Sequence, residues 1–154
     1  ERSRGLGDVY KRQGFVVVED EKTLLLPDRR GNNRIDSLLN ILADPRVALL
    51  FLVPGVGETL RVNGTARISV DPALLARFGM DGKLPRSVLI VDVQTVYFQC
   101  SRALLRSRLW DPATQVPRSA LPSVGRILSD LTAGTFDGDT YDRDLPARAA
   151  STLY

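Results

Sequence analysis

The stretch Arg29-Arg30-Gly31-Asn32-Asn33-Arg34-Ile35-Asp36-Ser37 sets three guanidinium groups, two side-chain amides and a hydroxyl directly ahead of the apolar run Leu38-Leu39-Asn40-Ile41-Leu42. A helix starting at that run would aim its free N–H groups and the positive end of its dipole at the loop. The arginines would add charge-assisted donors. Such a constellation is suited to an anion, and a phosphate monoester fits it best. The same residues would also serve as a solvated loop in which Asn33 does no more than cap the helix.

Other chemistry is restricted by what the chain lacks. There is no histidine among the 154 residues, which removes the Ser-His-Asp and Cys-His nucleophiles, the histidine general base and the histidine metal ligand. The single cysteine, Cys100, excludes an internal disulfide and a CxxC-type zinc site. Redox or group-transfer chemistry would therefore have to be carried by a bound cofactor.

The formal net charge is +3, with 21 basic and 18 acidic residues. Residues 1–13, ERSRGLGDVYKRQ, hold four of the basic and two of the acidic groups, so they account for most of the excess. The remainder is close to neutral, which argues against a nucleic-acid partner. Those thirteen residues follow neither a helical nor a strand period and resemble the read-through found at the ends of translated environmental fragments. They are expected to be a non-native extension or a disordered tail ahead of one domain over residues 14–154. No apolar run reaches the roughly 20 residues needed to cross a bilayer, and no signal-like apolar core opens the chain, so the expected location is cytoplasmic, away from membranes.

The elements that must position the loop read mainly as strands. Phe15–Val18 and Thr23–Leu26, the latter stopped by Pro27, make a hairpin. Ile35, Leu38, Leu39 and Leu42 recur at helical spacing on one face, with Pro45 ending the helix. Val47–Val53 suits a buried strand. Thr59–Ile68 alternates cleanly, and Gly64 marks a bend or bulge within it. Asp71-Pro72 opens a short helix, Val88–Cys100 reads as a long strand kinked near Asp92–Thr95, Pro122–Leu131 forms a last amphipathic helix, and the polar tail from Thr135 lies on the surface. The expected architecture is an antiparallel β-barrel with flanking helices, since closure removes exposed strand edges.

The order of three motifs, DRRGNNRIDSLLNI, PGVGETLRVNG and RSRLW, followed by LPSVGRILSD and a terminal LY, resembles the pyridoxamine 5'-phosphate oxidase-like family of FMN-binding split barrels, in its uncharacterised bacterial branch. The resemblance runs over residues 14–154. It implies a homodimer with FMN in the groove between subunits, the phosphate on Arg29, Asn32, Asn33, Arg34 and Ser37. It also implies that Glu58 and Thr59 approach the flavin, and that Arg102, Arg106, Ser107 and Trp110 line the groove. Trp110 also suits a core or dimer contact. Where relatives commonly read HCAK, this chain has Gln99-Cys100-Ser101-Arg102, which keeps the positive charge and drops the imidazole. The family's N-terminal helix, first strands and SPRGD-like segment are replaced by the foreign-looking opening. The function implied is an FMN-dependent oxidoreductase acting on a small molecule, or a protein that binds or stores FMN without turnover.

Overall fold

The computed structural model describes residues 15–31 and 33–152. The opening segment 1–13, Asn32 and the terminal LY lie outside the described residues. The chain divides into two compact units, one ending at Ala103 and the other running from Leu104 to Leu153.

Among the described residues the first unit holds a five-stranded antiparallel sheet in the order β1-β2-β5-β4-β3. Its strands are β1 (Val17–Asp20), β2 (Thr23–Asp28), β3 (Arg46–Phe51), β4 (Thr59–Ser69) and β5 (Ser87–Gln99). The molecule is thus mainly β with flanking helices, consistent with the split-barrel architecture. The eleven residues of β4 and thirteen of β5 form a long two-stranded ribbon. β2 joins the ribbon at one end, pairing Thr23–Asp28 with Asp92–Ser87. β3 joins it at the other, pairing Arg46–Phe51 with Thr65–Leu60.

The expected irregularity lies at the middle of the ribbon. Asn63 pairs with Thr95 and Gly64 with Val93, so Gln94 is an extra residue on β5. A Cβ at Gly64 would stand 2.2 Å from the Asp92 carbonyl oxygen, so only glycine lets the two backbones meet at the bulge. Strand β2 corrects the sequence reading: it runs through Pro27 to Asp28, where the reading ended it. Among the described residues β1 pairs only as far as Leu25, so the missing N–H of Pro27 falls on a side where no described strand pairs with it.

Both faces of the sheet are covered in part. On one face Leu24, Val62, Ala66 and Val91 are buried, with Ile41 of helix α1 (Asp36–Ala43) and Val47, Leu49 and Phe51 packed on them. On the other face Leu25, Val88 and Ile90 pack with Phe78 and with Leu74 and Leu75 of helix α2 (Pro72–Ala76). As read, Asp71 caps α2, its Oδ1 accepting from the Leu74 N–H at 3.0 Å. Arg77, just beyond α2, ties back to β1 through an ion pair with Glu19 at 2.5 Å.

In α1 the buried seam differs from the one expected. Leu38 is half-buried and Ile41 reaches the core, while Ile35, Leu39 and Leu42 are exposed, because the helix rests on β4 by the edge that carries residues 38 and 41.

The second unit holds the end of helix α3 (Arg102–Ser107), then α4 (Val124–Leu131) and α5 (Gly138–Ser151). The polar tail is therefore a fourteen-residue helix, and α4 is not the last one. Its polarity concealed it: most of its side chains are exposed, and it is held by a cap and two glycines instead of an apolar stripe. Asp137 accepts from the Thr140 N–H at 3.0 Å, and the Gly125 N–H donates to Asp142 Oδ1 at 2.9 Å. A Cβ on Gly125 would lie 2.1 Å from the Gly138 carbonyl oxygen, so the starts of α4 and α5 touch backbone to backbone.

Substituting Gly64→Ala is expected to lower the unfolding free energy by about 3 kcal/mol, through overpacking at the bulge. A shift of the urea midpoint at unchanged slope measures it; a variant as stable as the parent would show that the bulge tolerates a side chain.

Candidate functional site

The arginine loop leaves the end of β2 beside the start of β5. Asp28 pairs with Ser87, and the Arg86 N–H donates to the Asp28 carbonyl at 3.3 Å. That register brings a fourth guanidinium to the loop: Arg86 Nη1 donates to Asn33 Oδ1 at 3.1 Å. Arg86 was missed in the sequence because it lies some fifty positions from the motif. The signal available was the antiparallel return of β5 onto β2, which sets the residue before β5 beside the residue after β2.

Asn33 is not the cap. Its backbone is left-handed at φ 60, a conformation asparagine tolerates better than most residues, and its side chain is turned toward Arg86. The residue ahead of the helix is Ile35, which cannot cap, and among the described residues no side-chain cap closes the start of α1. Its first-turn amides thus keep their orphan character toward the loop. Ser37 stands exposed in that first turn, and Arg34 and Arg30 are exposed, with Arg29 half-buried.

At the far end of α1, Asp44 grips Arg46 through a side-chain ion pair at 2.5 Å. The Arg46 side-chain hydrogen bonds push the Asp44 carboxyl down to about 2, and Arg46 is raised in turn. Arg46 is therefore committed to the α1–β3 corner.

Glu58 and Thr59 lie at the opposite end of the ribbon, where Thr59 pairs with Gln99. Thirteen residues of β5 correspond to a contour of about 40 Å at the usual rise of an extended strand. One chain accordingly does not bring Thr59 to its own arginine loop. Glu58 is exposed, whereas Thr59 is only 4% exposed and has no side-chain hydrogen bond among the described residues. The turn before it closes tightly on the exit of β5, since a Cβ on Gly57 would stand 2.9 Å from that of Ser101. Sequence reasoning also passed over Arg61, two residues on, whose Nε donates to Gln99 Oε1 at 2.5 Å.

Arg102 and Arg106 lie one turn apart on α3, both exposed. The Ser107 hydroxyl donates to the Leu104 carbonyl at 3.1 Å, and Trp110 is half-buried between the ion-paired Arg108 and Asp111. Among the described residues no group of three His, Cys, Asp or Glu side chains could hold a metal, and no helix is long and apolar enough to cross a membrane.

The family model described as pyridoxamine 5'-phosphate oxidase matches residues 9–100, the span that contains the whole sheet and the arginine loop. The chain belongs to this family. Among solved structures it is similar to HupZ of Group A Streptococcus at 18% identity, covering 58% of this chain and 72% of that one, with a TM-score of 0.48. It is similar also to a histidine-to-alanine variant of HupZ at 21% identity, covering 56% and 75%, with a TM-score of 0.45. No curated protein sequence matches the chain.

The left-handed Asn33 supplies a check on the loop of this family member. Asn33→Ala is expected to cost about 1 kcal/mol, from the backbone strain of a left-handed alanine and the lost contact with Arg86. Asn33→Gly should cost less, as it relieves the strain. Thermal unfolding of both variants measures the difference, and equal losses would show that the side-chain contact alone matters.

Proposed function

We propose that this member of the pyridoxamine 5'-phosphate oxidase family is an FMN-binding homodimer that acts as an oxidoreductase on a small substrate. The observation that carries the reading is the uncapped start of α1 beside Arg29, Arg34 and the Asn33–Arg86 pair. An exposed helix start with orphan amides and adjacent guanidinium groups suits a phosphate dianion, and no carboxylate except that of Asp36 stands in the first turn. The residues present therefore fit the phosphoryl end of FMN, with Asn32 and Ser37 as further donors.

The buried hydroxyl of Thr59 adds a second argument. It is a polar group withdrawn from water without a partner among the described residues, at the ribbon end away from the loop. Two copies of the chain supply both ends to one groove, which is why the reading includes a dimer. When bound, the flavin supplies hydride or electron transfer. The chain's own part is to hold the phosphate and to offer the Thr59 hydroxyl, beside Glu58, to the ring's polar edge, with Arg102, Arg106, Ser107 and Trp110 as the groove residues that the family resemblance implies.

A second reading, an FMN binder without turnover, is favoured by one observation: Gln99-Cys100-Ser101-Arg102 offers no imidazole for proton transfer. Anaerobic addition of NADH or NADPH separates the two. Bleaching of the bound flavin supports the oxidoreductase, and a bound flavin that resists reduction supports the binder.

The double substitution Arg29→Ala with Arg34→Ala is expected to weaken FMN binding by about a hundredfold, two charge-assisted contacts being lost, with the fold intact. Gel filtration of the reconstituted protein measures it through co-eluting flavin absorbance. Stoichiometric FMN on the double variant would place the phosphate elsewhere.

A further inference from the structure

At the β3 end of the ribbon, five residues of one sheet face stand apart from the arginine loop. Leu50, Arg61 and Tyr97 are in direct register across β3, β4 and β5, and Thr59 is in register with Gln99 one step farther along. Residues in register share a face, as do residues two apart on one strand. Thr59, Arg61, Tyr97, Gln99 and Leu50 thus form one continuous patch.

We propose that Arg61, oriented by Gln99, is the recognition residue for the carboxylate of a small acidic molecule with an apolar body. The Gln99 Oε1 takes the Arg61 Nε–H at 2.5 Å, which fixes the plane of the guanidinium and leaves its two terminal nitrogens as the free edge of the fork. No carboxylate of the described residues pairs with that edge. Two parallel N–H donors on a planar group match the two oxygens of a carboxylate, and this match distinguishes arginine from lysine at such a position.

The buried Thr59 hydroxyl, 4% exposed and without a partner among the described residues, lies on the same face and adds a donor beside the fork. Leu50 at 50% exposure and Tyr97 at 43% flank Arg61 on either side, giving apolar surface to the body of the ligand. Calling that ligand the substrate rests on the flavoprotein reading; its binding to Arg61 does not.

The test uses the full chain with arginine side chains labelled with nitrogen-15. Benzoate, benzamide and phenyl phosphate are titrated while the Nε–H resonance of Arg61 is followed, with isothermal calorimetry for affinity. Benzoate is expected to move that resonance and to bind about tenfold or more tightly than neutral benzamide, as expected for a charge-assisted contact. Arg61→Met and Arg61→Lys should each lose that advantage, the lysine variant keeping the charge without the fork and guarding against a folding defect in the other. The Arg29→Ala/Arg34→Ala variant should bind benzoate as the parent does, so loss of flavin and loss of carboxylate recognition fail independently. Equal affinity for benzoate and benzamide, full retention by Arg61→Lys, or tighter binding of phenyl phosphate through Arg61 would each overturn the proposal.

Discussion

The pairing of β4 with β5 is the constraint on which the first unit depends. The ribbon, eleven residues against thirteen, is longer than either flanking strand can cover, so β2 and β3 attach to opposite ends. Every other placement follows from that offset. The loop after β2 must begin at the Ser87 end. Helix α1 must then travel back across β4 before β3 can pair with it, and it does so with Ile41 against the buried cluster of Leu24, Val62, Ala66 and Val91. The bulge at Gly64 absorbs the extra residue of β5 at the middle and re-aims the strand between its two roles.

Functional groups are separated by the same offset. Anion-binding character gathers where a strand ends and a helix starts without a cap, and hydrogen-bonding character from Thr59, Arg61 and Gln99 gathers at the other end. For the proposed flavin, each end alone is a partial site. The proposed flavin groove and the proposed carboxylate fork are therefore two uses of one ribbon, one needing a second copy of the chain and one complete within a single copy.

Much of this was legible in residue patterns, and the reasons are specific. Alternation along Thr59–Ile68 and the break near Asp92–Thr95 survive in the structure because a long antiparallel ribbon obeys its own pleat. What escaped depended on contacts between distant positions. Asn33 looks like a cap from its neighbours alone, but Arg86 draws its side chain away and the backbone turns left-handed. The face of α1 that is buried was chosen by β4 and not by the helix's own stripe of Ile35, Leu39 and Leu42. Helix α5 escaped because its anchors, Asp137, Asp142 and the Gly125–Gly138 contact, leave no hydrophobic period to read. Of the candidate site, the loop motif was visible as a string of residues, while Arg86 and the Arg61–Gln99 pair were visible only once β5 was laid beside β2 and β4.

Proline at position 27 has a consequence beyond its pairing with Val88. Among the described residues β1 pairs with β2 only as far as Leu25, and a strand margin that keeps its N–H groups is a template on which a foreign strand can add. The pyrrolidine ring offers that margin no hydrogen to share. The ring thus withdraws a donor from the β2 margin at no cost to its pairing with Val88, and the burial of Pro27 keeps that stretch of the margin out of reach of a stacking strand.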